Sequence, residues 1–339
     1  MLNTTSSTDI SSLLTNGSQS ISKYVTIPLM LLTFLLFPFY VYVHRVNRER
    51  DERTAIFAFT NHFYYSVKCI CLLILLAGIL GLLCYIYSYN RKPFSMIVGI
   101  GIGFLIYLAL NAITEVQYVL ITLLALQRFF LYYVPSSERF VNLTQSTMRV
   151  IISSLYVLFI LKDAVAACLS IWFHRLKNQN ENDTSIDQVL MWQGILYAFL
   201  NGLLIFCACL YIPLTISIRR FSHLASFVQS QPQKYVFYQT ISLAIGKIVF
   251  LPVYATVFLG ENDDEVLSPL RVLLIYATLI DAFSMPIIIQ LTYLSCNKRN
   301  IDVLRAYPIR DALKVTLCGG EVPERSNQVA DVYISSTRN

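Results

Sequence analysis

Several ionisable side chains stand in stretches apolar enough to make them costly. Glu115, Lys247 and Asp281 each lie inside a long apolar run, where a charge needs a partner and marks a candidate site. Lys247 lies 11 residues before Phe258, near the end of its run, and Asp281 lies 11 residues after Leu270, near the start of the next. At 1.5 Å per residue both sit about 16 Å from the same end of consecutive helices, so the two are expected to pair. Glu115 belongs to a stripe with Asn111, Tyr118 and Thr122, whose spacings of 4, 3 and 4 share one helical face. Gln193, Tyr197 and Asn201 make a second stripe. These residue types suit either of two tasks: hydrogen bonds that hold helices together, or contacts to a ligand inside a bundle. Lys162 and Asp163 are adjacent and are expected to face apart, each with its own partner. Lys68 is close enough to a helix end to snorkel.

A second group gathers near the opposite end. The third apolar run closes on Gln127-Arg128-Phe129, where an arginine either anchors the helix at the membrane surface or hydrogen-bonds neighbouring helix ends. Pro213, Pro252 and Pro286 stand in the fifth, sixth and seventh runs. Each removes a backbone donor and tends to bend its helix. They read as static kinks or, beside Arg128, as a set of hinges.

The elements that must position these residues follow from composition. The 339 residues are 56% apolar and 14% charged, with mean hydropathy +0.58. An average soluble domain carries about 25% charge. So little charge cannot cover a water-soluble globule of this size. Cytosolic enzymes, secreted disulfide scaffolds and nucleic-acid binders are thereby set aside. Seven stretches reach the roughly 20 apolar residues that a membrane helix needs: 24–43, 63–87, 95–127, 149–173, 189–218, 236–258 and 270–294. The third, with 33 residues, would run about 50 Å and must tilt or project from the bilayer.

Lys and Arg set the expected orientation. Of the 26, 17 fall in 44–62, 128–149, 219–235 and 295–339, against 6 in the alternate segments. The positive-inside rule then places the N-terminus outside and the C-terminus in the cytoplasm. The net charge of +6 suits the anionic lipids of the inner leaflet. Sequons at Asn3, Asn16 and Asn182 fall outside and are expected to carry glycans, whereas Asn142 falls inside and should stay bare. Residues 1–23 are polar, with eleven Ser or Thr and no basic start, and do not read as a cleaved signal.

Other motifs carry less. Cys69/Cys71 and Cys207/Cys209 have C-x-C spacing, but no C-x-x-C or HExxH segment accompanies them, so no metal and no other cofactor is assigned. Gly99-x-Gly101-x-Gly103 lies inside an apolar helix with no preceding strand, so it is no phosphate loop; Gly99 and Gly103 are expected to allow close helix packing. No intramembrane acid pair or nucleophile motif indicates an enzyme.

Several local stretches are familiar together. Phe37-Pro38-Phe39-Tyr40-Val41-Tyr42-Val43, Asn47-Arg48-Glu49-Arg50-Asp51, Asn61-His62-Phe63-Tyr64, Leu126-Gln127-Arg128-Phe129, Tyr133-Val134-Pro135-Ser136 and Leu294-Ser295-Cys296-Asn297-Lys298-Arg299-Asn300 resemble the nematode serpentine receptors of class Z, a family of chemosensory G-protein-coupled receptors. The resemblance implies a small-molecule or peptide ligand, a heterotrimeric G-protein partner and the plasma membrane of a sensory cell. Against the rhodopsin-like pattern, Gln127 replaces the acid before Arg128, Ser284-Met285 replaces the asparagine motif before Pro286, and no cysteine lies between Cys84 and Cys168. Cys84 and Cys168, near outer helix ends, could pair with each other, but two separate buried thiols are the expectation.

The expected architecture is all-α: a seven-transmembrane-helix bundle over 24–294, an extracellular tail at 1–23 and a cytoplasmic tail at 295–339. A short membrane-surface helix should begin near Cys296 and end before Pro308. The expected function is a chemosensory receptor. Gln127, Arg128, Phe129, Pro252 and Pro286 would serve activation; Glu115, Gln193, Tyr197, Asn201, Lys247 and Asp281 would line the ligand site. The competing reading is a ligand-gated seven-helix channel or an ion-coupled transporter.

Overall fold

The computed structural model describes residues 4–52, 54, 57–89, 93–134, 144–177, 185–220, 237–248, 264–295, 298–306 and 316. In chain order the helices are α1 (Thr4–Asp51), α2 (Phe57–Tyr89), α3 (Pro93–Tyr133), α4 (Gln145–Lys177), α5 (Ser185–Arg220), α6 (237–248), α7 (Asp264–Ser295) and α8 (Lys298–Ala306). No strand occurs among the described residues. A bilayer requires this, because a helix satisfies its own backbone donors and acceptors where no water can.

Among the described residues, six helices carry spans long and apolar enough to cross a membrane: Tyr24–Glu49, Phe57–Tyr87, Val98–Tyr133, Gln145–Phe173, Met191–Pro213 and Ala277–Ser295. The remaining expected span, 236–258, the sixth in chain order, is described only over α6. The helices outrun the expected apolar stretches at their polar ends, since backbone hydrogen bonding continues past the hydrocarbon. α3, at 41 residues, is about 60 Å long. α1 begins within the polar 1–23 segment, so its backbone is helical from Thr4 onward.

α7 is the central element. In its most apolar stretch 67% of residues are buried, against 17% in the corresponding stretches of α1, α2 and α4. α1 packs most extensively on α7, and α3 touches α2, α4, α5 and α7. Tyr40, Phe63, Tyr118, Leu124, Leu204 and Met285 meet in one apolar core, while Ile70, Ile74, Ile106, Leu110 and Phe283 form a second. Large exposed residues such as Leu31, Leu82, Val157, Trp172 and Phe199 form the surface a lipid bilayer covers.

Gly99 is buried against α2, and a Cβ built there would run into Cys84 Sγ. Gly103 does not share this role. Nothing lies within 4 Å of a Cβ on it, because the four-residue step leaves it clear of α2. Cys84 and Cys168 are separate free thiols, but the expectation that both are buried fails. Cys84 is half-buried and Cys168 is exposed on the bundle's outer face.

Candidate functional site

Lys247 and Asp281 meet, as their spacing from the run ends leads one to expect. The Lys247 ammonium pairs with Asp281 Oδ2 between α6 and α7. Tyr197 of α5 donates its hydroxyl to the same oxygen. Lys247 also donates to that hydroxyl at 3.3 Å. Tyr118 of α3 closes the fourth side, with its ring centroid 4.5 Å from Lys247 Nζ and a side-chain hydrogen bond to Asp281. A cation over an aromatic face gains further attraction when desolvated. All four residues are at most 5% exposed. One ion pair with two tyrosines thus joins α3, α5, α6 and α7.

The Asn111–Glu115–Tyr118–Thr122 stripe faces inward as expected, with Glu115, Tyr118 and Thr122 buried, but its members serve different partners. Tyr118 turns to Lys247. Glu115 takes Lys162 of α4 on both oxygens, at 2.5 and 2.7 Å. Asn111 donates to Asp163 Oδ2 at 3.3 Å. Lys162 also reaches Asp163 Oδ1 at 2.8 Å, which corrects the expectation that these neighbours face apart. Adjacent Cα–Cβ bonds do diverge on a helix, but the four-carbon lysine chain bends its ammonium back. Two buried carboxylates therefore share one half-buried ammonium between α3 and α4. Along α5, Gln193 is half-buried one turn before Tyr197, and Asn201 is buried one turn after it.

At the other end, α3 continues to Tyr133, so Gln127, Arg128 and Phe129 lie inside the helix, not at its terminus. All three are half-buried. Arg128 Nε is shielded from solvent with no hydrogen-bond partner, and no carboxylate pairs with the guanidinium among the described residues. Tyr211 of α5, 2% exposed, is close enough to interact electrostatically. Pro213 lies in α5 and a buried Pro286 in α7; Pro252 lies outside the described residues. So do Asn3, Asn142, Asn182 and Cys296, and the side chain of Asn16 is likewise not described. The C-x-C pairs split between environments: Cys71 and Cys207 are buried, Cys69 and Cys209 exposed. Two residues are about 200° apart on a helix, so neither pair converges.

Two features escaped the reading of motifs. Gln117, Gln239 and Gln290 are fully buried, and neither amide atom of any of them has a hydrogen-bond partner among the described residues. Only their polarity in apolar runs could have signalled them. The second is a polar ring joining α1, α7 and α8. Tyr293 donates to Asp51 Oδ2 at 2.8 Å, Asn47 donates to Asn300 Oδ1 at 2.9 Å, and Asn300 donates to the Tyr293 carbonyl at 2.6 Å. His44 stacks on Tyr64 with centroids 4.0 Å apart and planes 6° apart. Most of these residues lie in the quoted stretches around 40–51, 61–64 and 294–300, which the fold gathers at one end.

No curated protein matches the chain. A family described as serpentine type 7TM GPCR chemoreceptor Srz matches residues 23–298, from the start of the first span to the start of α8. That match takes in the four-helix ion-pair centre, the Arg128 region and most of the polar ring. The chain is a multi-pass membrane protein and belongs to the Srz family of seven-transmembrane serpentine chemoreceptors.

Proposed function

We propose that this receptor binds its ligand at the Lys247–Asp281–Tyr197–Tyr118 centre, on the extracellular side, and activates a heterotrimeric G protein through the face around Arg128. One observation carries the reading: a single buried polar centre ties α3, α5, α6 and α7 together. A ligand that exchanges hydrogen bonds with any of its four members changes how those helices are held. Only a differential contact of this kind can shift a conformational equilibrium. Gln193 and Asn201, one turn to either side of Tyr197, and Glu115 on α3 extend the polar surface.

Arg128 supports the second half of the reading. Its guanidinium is half-buried and held by no carboxylate among the described residues. An arginine so weakly restrained is free to take a new acceptor when helices part. Pro213 and Pro286 give α5 and α7 points at which to bend. The test is expression in a heterologous cell and a screen of volatile and water-soluble compounds with both G-protein and membrane-current readouts. A G-protein response lost in Asp281→Asn, measured per receptor at the surface, is the expected result. A ligand-gated current independent of G protein would replace this reading with the channel.

A further inference from the structure

α8 has nine residues, too few to hold a helix on its own in water. Its order must come from contacts outside itself. Val303 is buried, and Asn300 is 3% exposed. The Asn300 side chain bridges two other helices, accepting from Asn47 of α1 and donating to the Tyr293 carbonyl of α7. That carbonyl belongs to the last turn of α7, where helix geometry leaves the acceptors without intrahelical donors. α8 therefore caps the end of α7, and α1 holds the cap in place. One turn along α1 from Asn47, Asp51 accepts the Tyr293 hydroxyl. The Tyr40 ring meets the Tyr293 ring edge-on at 5.3 Å.

We propose that Asn47, Asp51, Tyr293 and Asn300 form a latch that makes the order of α8 depend on the seat of α7 against α1. The two ends of Tyr293 are used for different ties: its hydroxyl fixes α7 to α1, and its carbonyl fixes α7 to α8. A rotation or slide of the last turn of α7 disturbs both together and releases α8. α7 also carries Asp281, with Pro286 between Asp281 and Tyr293. A change in the ion-pair centre that turns this helix is thus read out at α8. The latch goes beyond the proposed ligand response and needs no ligand to be tested.

The experiment is amide hydrogen exchange followed by mass spectrometry on the full-length receptor in lipid nanodiscs, comparing segment 298–306 with the α3 core segment 113–125. Tyr293→Phe removes only the hydroxyl, which bonds α1 and not α8. It is expected to speed exchange of 298–306 by about fivefold to tenfold, the scale of one lost buried hydrogen bond, while 113–125 is unchanged. Asn47→Ala should do the same, and Asn47→Ala/Asn300→Ala should add nothing to Asn300→Ala. Unchanged exchange of 298–306 in Tyr293→Phe would overturn the latch, as would a wild-type α8 that exchanges at unprotected rates. If Asn47→Ala loosens the whole bundle, Tyr293→Phe alone decides.

Discussion

Lys247 and Asp281 form a buried ion pair across α6 and α7, with the Tyr197 hydroxyl bonded to both. Burying two charges is costly, and the attraction between them offsets that cost only when the geometry also satisfies their remaining hydrogen-bonding capacity. Here Tyr197 and Tyr118 supply it. Removing one partner leaves an uncompensated charge, at a cost of about 3–5 kcal/mol. Lys247→Met and Asp281→Leu should each lower surface level and thermal stability, and the double variant should fare better than the sum of the two. Simple additivity in a thermal-unfolding cycle would exclude direct pairing.

The Glu115–Lys162–Asp163 site holds two carboxylates to one ammonium. Neutralising one acid balances the charge, whereas removing the base leaves like charges together. Glu115→Gln and Asp163→Asn should therefore each be tolerated, with thermal stability within about 1 kcal/mol of wild type or above it. Lys162→Met should be strongly destabilising, by about 3 kcal/mol or more. Equal damage from Asp163→Asn and Lys162→Met would refute this account of the charge balance.

An unsatisfied buried amide costs about 1–3 kcal/mol, and an apolar group of similar shape removes that cost. Gln117→Met and Gln290→Met should raise the melting temperature of the purified receptor. A fall in either would mean that the amide is hydrogen-bonded in the working molecule.

Arg128→Ala should leave folding, surface delivery and ligand binding close to wild type while abolishing G-protein activation. An arginine that merely anchors α3 would instead lower surface level and leave signal per surface receptor unchanged. Measuring signalling normalised to surface receptor separates the two.

Orientation is tested through the sequons. Glycans are expected on Asn16 and Asn182 and never on Asn142, read as mass shifts in single Asn→Gln variants. A glycan on Asn142 would invert the proposed topology.

What was legible in the sequence was what depends on distance along one helix. A rise of 1.5 Å per residue is fixed by backbone hydrogen bonding, so counting from the ends of apolar runs placed Lys247 and Asp281 level. The same periodicity turned Glu115, Tyr118 and Thr122 inward. Composition established the all-helical membrane fold, because a bilayer admits few alternatives. Which neighbour each face meets was decided only by tertiary packing. Tyr118 and Glu115 share a stripe yet serve different helices, since α3 lies against both α4 and α5. Lys162 reaches its own neighbour because a long side chain can bend where the backbone cannot. Gly99 packs on Cys84, while a Cβ on Gly103, one turn on, would meet nothing within 4 Å among the described residues, a difference set by how α2 crosses α3. The α1–α7–α8 ring joins Asn47 to Asn300, 253 residues apart. No local pattern encodes such a contact; it exists only because α7 runs alongside α1 in the same direction and brings the C-terminal ends of the two helices together.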